Sequence, residues 1–169
     1  SNSTGPRVAI LNRKLYSKRS IINAETLSRH LELELSTNVQ VEYFEGSDFA
    51  HQVEFFANYD LVISPHGAQL TGIPFLPSCG AFLEIFPASY YNQVFFGSLA
   101  AAAGIRQYSL HPSHGDGEAA WKDLQETRST RIRRQRRQVN MCPEAAKLVE
   151  GVRTMIQDWH ECCRSTVSD

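Results

Sequence analysis

The sequence has no long hydrophobic run and no strong excess of charge of one sign. Its 169 residues are 42% hydrophobic and 21% charged, with a formal net charge of -1. A membrane-spanning helix needs roughly 20 consecutive apolar residues, so we expect no membrane span in this chain. Domains that bind nucleic acid are usually strongly basic, so nucleic acid is not an expected partner. The composition is that of a folded globular domain.

Motifs of several common enzyme classes are also missing. There is no Gly-rich Walker loop, and no GxGxxG follows the first predicted strand, which argues against P-loop nucleotidases and the usual dinucleotide enzymes. The absence of GxSxG disfavours a hydrolase. The four cysteines form no CxxC pair and no cluster with zinc spacing, so no metal is expected. Cys142 could pair with Cys162 or Cys163 in an oxidising compartment, and free thiols are an equal alternative.

The chain begins without an initiator methionine or a signal peptide. Residues 1–6 resemble a tag or linker, so we expect a fragment of a longer protein. The expected organisation is a core domain over residues 7–112, followed by residues 113–169 with a linker, an Arg-rich segment and a last helix that packs on the core.

Short apolar runs alternate with amphipathic segments between residues 7 and 110. Strands are predicted over 8–11, 38–44, 61–63, 81–86 and 107–110, and helices over 24–35, from about 48, over 68–75 and over 90–103. Asn23, and Ser47 or Asp48, are the predicted N-caps of the first two helices. Two more helices are predicted over 118–137 and 143–162. The alternation predicts an α/β, Rossmann-like parallel sheet with helices on both faces.

A polar turn follows the third predicted strand directly. His66, Gly67 and Ala68 lie between this strand and a short helix. A helix N-terminus offers unpaired N–H groups and a positive dipole end, which suit a phosphate. Gly67 lets the backbone approach a ligand closely, and His66 can donate to a phosphate oxygen or act as a base. The alternative is a tight strand-to-helix turn with a capping histidine.

Basic residues follow the first predicted strand, namely Arg13, Lys14, Lys18 and Arg19. Guanidinium groups bind phosphate through paired hydrogen bonds, and a solvated basic loop is the alternative. Glu84 lies inside an apolar strand and therefore needs a partner. A sugar or ribose hydroxyl is the favoured partner, and an arginine of the fold is the alternative.

Six arginines lie between Arg128 and Arg137. Three interpretations stay open for this run: a solvated basic helix, a disordered loop, or a docking site for an anionic partner. No aromatic residues are interleaved to stack bases, so nucleic acid is the least favoured of the possible anions.

Four landmarks occur in order along residues 7–112. They are the basic segments at 7–13 and 18–23, Gln52 in a helix after the second strand, the turn His66-Gly67-Ala68-Gln69-Leu70, and Glu84 in a strand that ends in Phe86-Pro87. This series resembles the family 61 glycosyltransferases, which include EGF-domain-specific O-linked N-acetylglucosamine transferases and plant xylan xylosyltransferases. Gln69 stands where that family usually has a second glycine.

The resemblance implies a fold and an activity. The family fold is GT-B, with two facing Rossmann-like halves, so this chain would be the C-terminal, donor-binding half. The implied reaction is inverting transfer of a sugar, N-acetylglucosamine or xylose, from a UDP-sugar to a protein or glycan hydroxyl. No metal or other cofactor is implied. The N-terminal half would be a partner, this fragment alone would be weak or inactive, and the implied compartment is the lumen of the ER or Golgi.

The resemblance also implies residue roles. Arg13 and Arg19 would hold the donor diphosphate or lie beside it. His66, Gly67 and Ala68 would form the diphosphate turn with Gln69 next to it, and Glu84 would face the ribose. His66 is a candidate catalytic base, although the base is expected in the N-terminal half. The alternative function is a non-catalytic Rossmann-like module that binds a nucleotide or a protein partner.

Overall fold

The computed structural model describes residues 5–88, 90, 94–111 and 130–165, without the side chains of residues 132 and 133. The strands are β1 (Val8–Asn12), β2 (Val39–Tyr43), β3 (Leu61–Pro65), β4 (Ala81–Ile85) and β5 (Arg106–Leu110). The helices are α1 (Ala24–Leu35), α2 (Phe49–Asn58), α3 (Val94–Ala103), α4 (Thr130–Arg136) and α5 (Ala145–Ser165). Two 3-10 helices, Leu15–Ser17 and Ala68–Phe75, follow β1 and β3.

The five strands form one parallel sheet in the order β2-β1-β3-β4-β5. The chain moves from β1 to one side for β2, and then crosses to the other side for β3 and the following strands. This arrangement confirms the predicted Rossmann-like α/β fold. Its topological switch point lies between β1 and β3.

Side chains alternate along each strand, so both faces of the sheet carry apolar side chains. Helices cover both faces. Val8, Ile10 and Ile63 belong to the core shared with α1 and α5. Ala9 and Val62 belong to the opposite core, which is shared with α2, α3 and the second 3-10 helix. Strands buried on both faces explain why the sequence shows continuous apolar runs rather than alternation.

The last helix is fixed to the sheet by apolar contacts and by a disulfide. Leu148, Val152 and Met155 are fully buried on one face of α5. A disulfide joins Cys79, in the turn before β4, to Cys162 near the end of α5. The suggested pairing of Cys142 is therefore wrong, since Cys142 is exposed and takes no part in this bridge.

Two details of the predicted elements need correction, and a third prediction lies partly outside the described residues. Tyr90 is not helical as predicted, because it lies in a turn in which its N–H donates to the Pro87 carbonyl at 3.0 Å. The Asn23 side chain does not cap α1, since its Nδ2 donates instead to the Pro143 carbonyl at 3.2 Å. Of the helix predicted over 118–137, residues 118–129 lie outside the described residues, as does the linker from 112 onward.

Candidate functional site

The candidate site lies at the carboxyl edge of the sheet, where β1 and β3 end side by side. Ligands of open parallel α/β sheets bind at this edge, at the switch point. The loop after β1 carries Arg13 and Arg19, and the turn after β3 carries His66, Gly67 and Ala68. The structure therefore brings both predicted groups to one position.

Arg13 organises the loop that follows β1. Its Nε donates to the Lys18 carbonyl at 2.9 Å, and its Nη2 donates to the Ser17 carbonyl at 3.0 Å. Its Nη1 crosses to the other side of the switch point and donates to Gln69 Oε1 at 2.8 Å. Burial lowers the pKa of Arg13, although the nearby Glu45 carboxylate opposes the shift. All three nitrogen atoms of this guanidinium therefore have partners within the chain.

Arg19 differs from Arg13 because part of its guanidinium lacks a partner. Its Nε is buried and has no hydrogen-bond partner among the residues that the structure describes. Burial lowers the pKa of Arg19, and the positive charges of Arg13 and Arg137 lower it further. An unpartnered buried donor is costly. An anion at this position would supply both the hydrogen bond and the opposite charge.

The backbone at Arg19 is also strained. Lys18 and Arg19 have φ angles of 60° and 58°, in the left-handed region that residues with a side chain seldom adopt. Such conformations cost on the order of 1–3 kcal/mol each and concentrate at ligand-binding positions. The two carbonyl contacts from Arg13 help to hold the loop in this shape.

The turn after β3 is built around the missing side chain of Gly67. A Cβ atom there would lie 2.6 Å from Arg13 Nη1 and 2.7 Å from Gln69 Oε1. The Gln69 side chain fills the adjacent space, and its Nε2 donates to Ser64 Oγ at 3.1 Å. Ala68 is exposed at the start of the 3-10 helix. Gln69 thus connects the β1 loop to the β3 turn.

His66 and Glu84 form a buried pair directly below this turn. His66 Nδ1 lies 2.5 Å from Glu84 Oε1, and Gln107 Nε2 donates to Glu84 Oε2 at 2.6 Å. The hydroxyl of Tyr90 lies 3.2 Å from His66 Nε2. Glu84 is completely buried and His66 is 5% exposed. The partners of Glu84 within the fold are therefore His66 and Gln107, and not the arginine that was the alternative expectation. The favoured expectation, a sugar or ribose hydroxyl, stays a prediction.

Aromatic rings enclose the histidine. The ring of His66 stacks on Phe86 with centroids 5.1 Å apart, and Phe86 stacks on His111 at 4.9 Å. Phe96 meets His66 edge-on at 5.5 Å. Burial lowers the pKa of His111, which favours its neutral ring. This packing fixes the position of the imidazole beneath the turn.

A cavity of about 290 Å³ opens at the same edge. Its lining includes Arg13, Ser17, Gln52, Ala68 and Gln69. A larger cleft of about 780 Å³ lies at the opposite, amino edge and includes Asn38 and Tyr59. The smaller cavity is the better candidate because it lies at the switch point, between the loop of Arg13 and the turn at Ala68.

The sequence motifs identified most of the residues at this edge but missed three neighbours. Arg13, Arg19, Gly67, Ala68 and Gln69 lie around the switch point, and His66 with Glu84 lies beneath it. Tyr90 and Gln107, which contact the buried pair, and Ser64, which holds Gln69, were not predicted. The position of Glu84 in an apolar strand indicated that its carboxylate needs partners. It did not indicate which residues these partners are. Within the described residues, no group of three His, Cys, Asp or Glu side chains is arranged to hold a metal.

The fold and this site define a class of protein, namely Rossmann-like α/β domains with a basic loop and a glycine turn at the ligand-binding edge. Comparison with known proteins narrows the class. Residues 1–83 match the family model of Glycosyltransferase 61. Over 100 residues, which are 59% of the chain, the sequence is 30% identical to the EGF domain-specific O-linked N-acetylglucosamine transferase of Drosophila melanogaster. The resemblance to family 61 glycosyltransferases is thereby confirmed.

These matches cover part of a longer relative. The aligned region amounts to 19% of the Drosophila enzyme, so the chain spans about a fifth of the length of that relative. Among solved structures, a rubredoxin:oxygen oxidoreductase from Desulfovibrio gigas covers 77% of this chain and 36% of its own, at 12% identity and a TM-score of 0.37. A likeness of this size says nothing about function. No helix in the described ranges has the length and apolar character of a membrane span.

Proposed function

We propose that this chain is the donor-binding half of an inverting glycosyltransferase that uses a UDP-sugar. The observation that carries the proposal is the meeting of the Arg13–Arg19 loop and the Gly67 turn at one sheet edge. The family match over residues 1–83 supports it. N-acetylglucosamine is the preferred sugar, because the Drosophila relative is named for it, and xylose is the alternative. The acceptor is a protein or glycan hydroxyl.

In this proposal Arg19 provides the main contact with the diphosphate. The buried N–H at its Nε has no acceptor among the described residues, whereas the guanidinium of Arg13 already donates to carbonyls of the loop. The backbone of Gly67 and Ala68 approaches the phosphates from the other side, with Gln69 between them and Arg13. A cation fixed before the ligand arrives stabilises a negative charge without reorganisation.

The chemical step is a single displacement. The acceptor oxygen attacks the anomeric carbon, the bond from that carbon to the β-phosphate oxygen breaks, and UDP leaves with the bonding electron pair. The guanidinium groups stabilise the charge that develops on the leaving phosphate. The acceptor proton passes to a base. We place the base in the N-terminal half, with His66 as the alternative.

His66 and Glu84 have a restricted geometry in this proposal. Both nitrogen atoms of His66 face groups of the fold, and Glu84 is fully buried. A role for His66 as a base or phosphate donor requires its Nε2 to leave Tyr90. A contact between Glu84 and a ribose requires access past the histidine. Direct ligand contact by either residue stays a prediction.

The proposed compartment is the lumen of the ER or Golgi. Disulfides form and persist in oxidising compartments, so the Cys79–Cys162 bridge supports this proposal. The remaining partner is the N-terminal half of a GT-B enzyme, which would present the acceptor. This fragment alone is expected to bind its donor but to turn over slowly or not at all.

Calorimetric titration of UDP, UDP-N-acetylglucosamine, UDP-xylose and GDP tests the proposal. The UDP ligands should bind, and Arg19→Ala should weaken them about tenfold or more through loss of a charged hydrogen bond. Arg29→Ala is the matched control, because Arg29 is exposed on α1 and contacts the Glu25 carbonyl. Absence of binding by every nucleotide to folded protein would favour the alternative, a non-catalytic module that binds a protein partner.

A further inference from the structure

The end of the arginine run returns to the loop that carries Arg19. The N–H of Ser20 donates to Asn140 Oδ1 at 3.0 Å, and the N–H of Met141 donates to the Ser20 carbonyl at 2.7 Å. Ile22 N–H donates in turn to the Met141 carbonyl at 2.9 Å. Residues 140 and 141 therefore run along the 20–22 segment like a short parallel strand, with Ile21 paired to Met141.

This attachment brings one arginine of the run to the site. After α4 the chain turns tightly, since Gln138 N–H donates to the Gln135 carbonyl and Val139 N–H to the Arg136 carbonyl, both at 3.1 Å. Arg137 lies in this turn, three residues before Asn140. Asn140 is hydrogen-bonded to Ser20, the neighbour of Arg19, and the positive charges of Arg13 and Arg137 both lower the pKa of Arg19. The attachment thus brings the chain at Arg137 close to the loop that carries Arg13 and Arg19.

Among the described residues, Glu45 provides a counter-charge to these arginines, and it acts on Arg13 without forming a salt bridge. Arg13, Arg19 and Arg137 form no salt bridge with any carboxylate in the described part of the chain. The buried Nε of Arg19 also lacks a hydrogen-bond partner among those residues. Like charges held together raise the free energy of the folded protein. The arrangement suits a ligand that carries more than one negative charge.

We propose that Arg137 is a third donor-binding residue, which contacts the diphosphate together with Arg19. The inference rests on the proposed function, because it names a further contact in the same donor site. We assign this role to Arg137, at the end of the arginine run, and not to Arg131 near its beginning. Arg131 is exposed near the start of α4, whereas Arg137 lies three residues before Asn140, which is hydrogen-bonded to the neighbour of Arg19.

Calorimetric titrations of inorganic pyrophosphate and of UDP, at low ionic strength, test this inference. Arg137→Gln should weaken both ligands about tenfold, through loss of one charge-assisted hydrogen bond. Arg131→Gln removes the same charge from the same run and should change either affinity less than about twofold, because screening weakens distant exposed charges. Arg137 is exposed, so its replacement should leave the fold intact.

The outcomes separate this inference from the proposed function. UDP binding that Arg19→Ala weakens and Arg137→Gln does not would overturn the role of Arg137 and leave the donor site standing. Pyrophosphate binding that depends on both arginines, without any UDP binding, would support the three-arginine site and contradict the nucleotide function. If the unsubstituted chain binds neither ligand, both proposals fail. Equal losses of affinity in Arg137→Gln and Arg131→Gln would mean that only the overall charge matters, and would overturn the inference.

Discussion

Gly67 is the residue at which the candidate site leaves no room for a side chain. Its φ of 171° is extended backbone that any residue adopts, so the constraint is space and not conformation. A methyl group there would meet Arg13 Nη1 at 2.6 Å and Gln69 Oε1 at 2.7 Å. Both atoms are ends of flexible side chains. They can move away, but the contact across the switch point would then change.

We predict that Gly67→Ala separates binding from stability. Displacement of Arg13 should lower UDP affinity about tenfold, while the free energy of unfolding changes by less than about 1 kcal/mol. Calorimetry and urea unfolding measure the two quantities. Gly5→Ala is the control, because a Cβ at Gly5 meets nothing within 4 Å. Unchanged affinity in Gly67→Ala would contradict the assigned geometry of the turn.

The His66–Glu84 pair makes a second prediction at the scale of single residues. Glu84→Gln keeps the size of the side chain but removes its charge and turns one of the two acceptor oxygens, which face His66 and Gln107, into an NH2 group with two donors. An unmatched buried polar group costs about 1–3 kcal/mol, and urea unfolding should show a loss of that size.

The control for this change is Glu144→Gln, which alters an exposed carboxylate paired with Lys147. Exposed ion pairs contribute at most about 1 kcal/mol and often nothing measurable. We therefore expect a much smaller effect there. Equal effects in the two variants would mean that the buried pair contributes no more than a surface ion pair.

The sequence predicted those site residues that closely follow the end of a strand. Arg13, Arg19 and Gly67 follow buried strands, and parallel strands deliver their ends to one edge. The contacts of these residues were not predictable. Asn140 lies 120 positions from Ser20, and Gln107 lies 23 positions from Glu84. No periodic pattern in the sequence connects such pairs.

At the scale of elements, α5 meets β5 through a partly buried polar contact as well as through its apolar stripe. The Tyr108 hydroxyl donates to Asp158 Oδ2, and Arg106 Nη1 donates to the Asp158 carbonyl at 2.7 Å. Burial, followed by the hydrogen bond and charge of Asp158, raises the pKa of Tyr108 to about 12, while Arg106 opposes the shift. The phenol is therefore more strongly protonated in the folded state than in the unfolded state.

This difference predicts a pH-dependent stability. A raised pKa in the folded state gives a stabilisation that is complete below the ordinary tyrosine value of about 10 and is lost as the pH rises through about 12. At pH 8, urea unfolding should show a higher free energy of unfolding for the unsubstituted chain than for Tyr108→Phe. This difference should disappear as the pH approaches 12. A difference that does not change with pH would contradict the assigned contact.

The elements themselves were largely predictable, and their ends less so. All five strands were predicted, β1, β3 and β4 from short apolar runs and β2 from the alternation of apolar and polar residues. β3 nevertheless continues to Pro65, because Ser64 and Pro65 pair with Glu84 and Ile85, and a proline normally argues against a strand. Tyr90 lies outside a helix, contrary to the prediction, because its side chain contacts His66. Tertiary contacts therefore override local preference at both boundaries.

At the scale of the whole molecule, the Cys79–Cys162 disulfide connects residues 83 positions apart. A bridge that closes a long loop restricts the unfolded chain, and removal of such a bridge costs about 2–4 kcal/mol. We predict a loss of this size for Cys162→Ser in urea unfolding, and a negligible change for Cys142→Ser, since Cys142 is exposed.

A reductant supplies the second comparison. It should lower the stability of the unsubstituted chain to that of Cys162→Ser and leave the variant unchanged. Insensitivity of the unsubstituted chain to reductant would contradict the bridge, and with it the support that the bridge gives to a lumenal compartment.

The central claim is that a uridine diphosphate binds at the carboxyl edge, between β1 and β3. The most direct test is a titration of isotopically labelled protein with UDP, followed by backbone amide NMR. We expect saturable shifts of the Arg19, Gly67 and Ala68 amides. Shifts confined to Asn38 and Tyr59, which line the larger cleft at the amino edge, would contradict it.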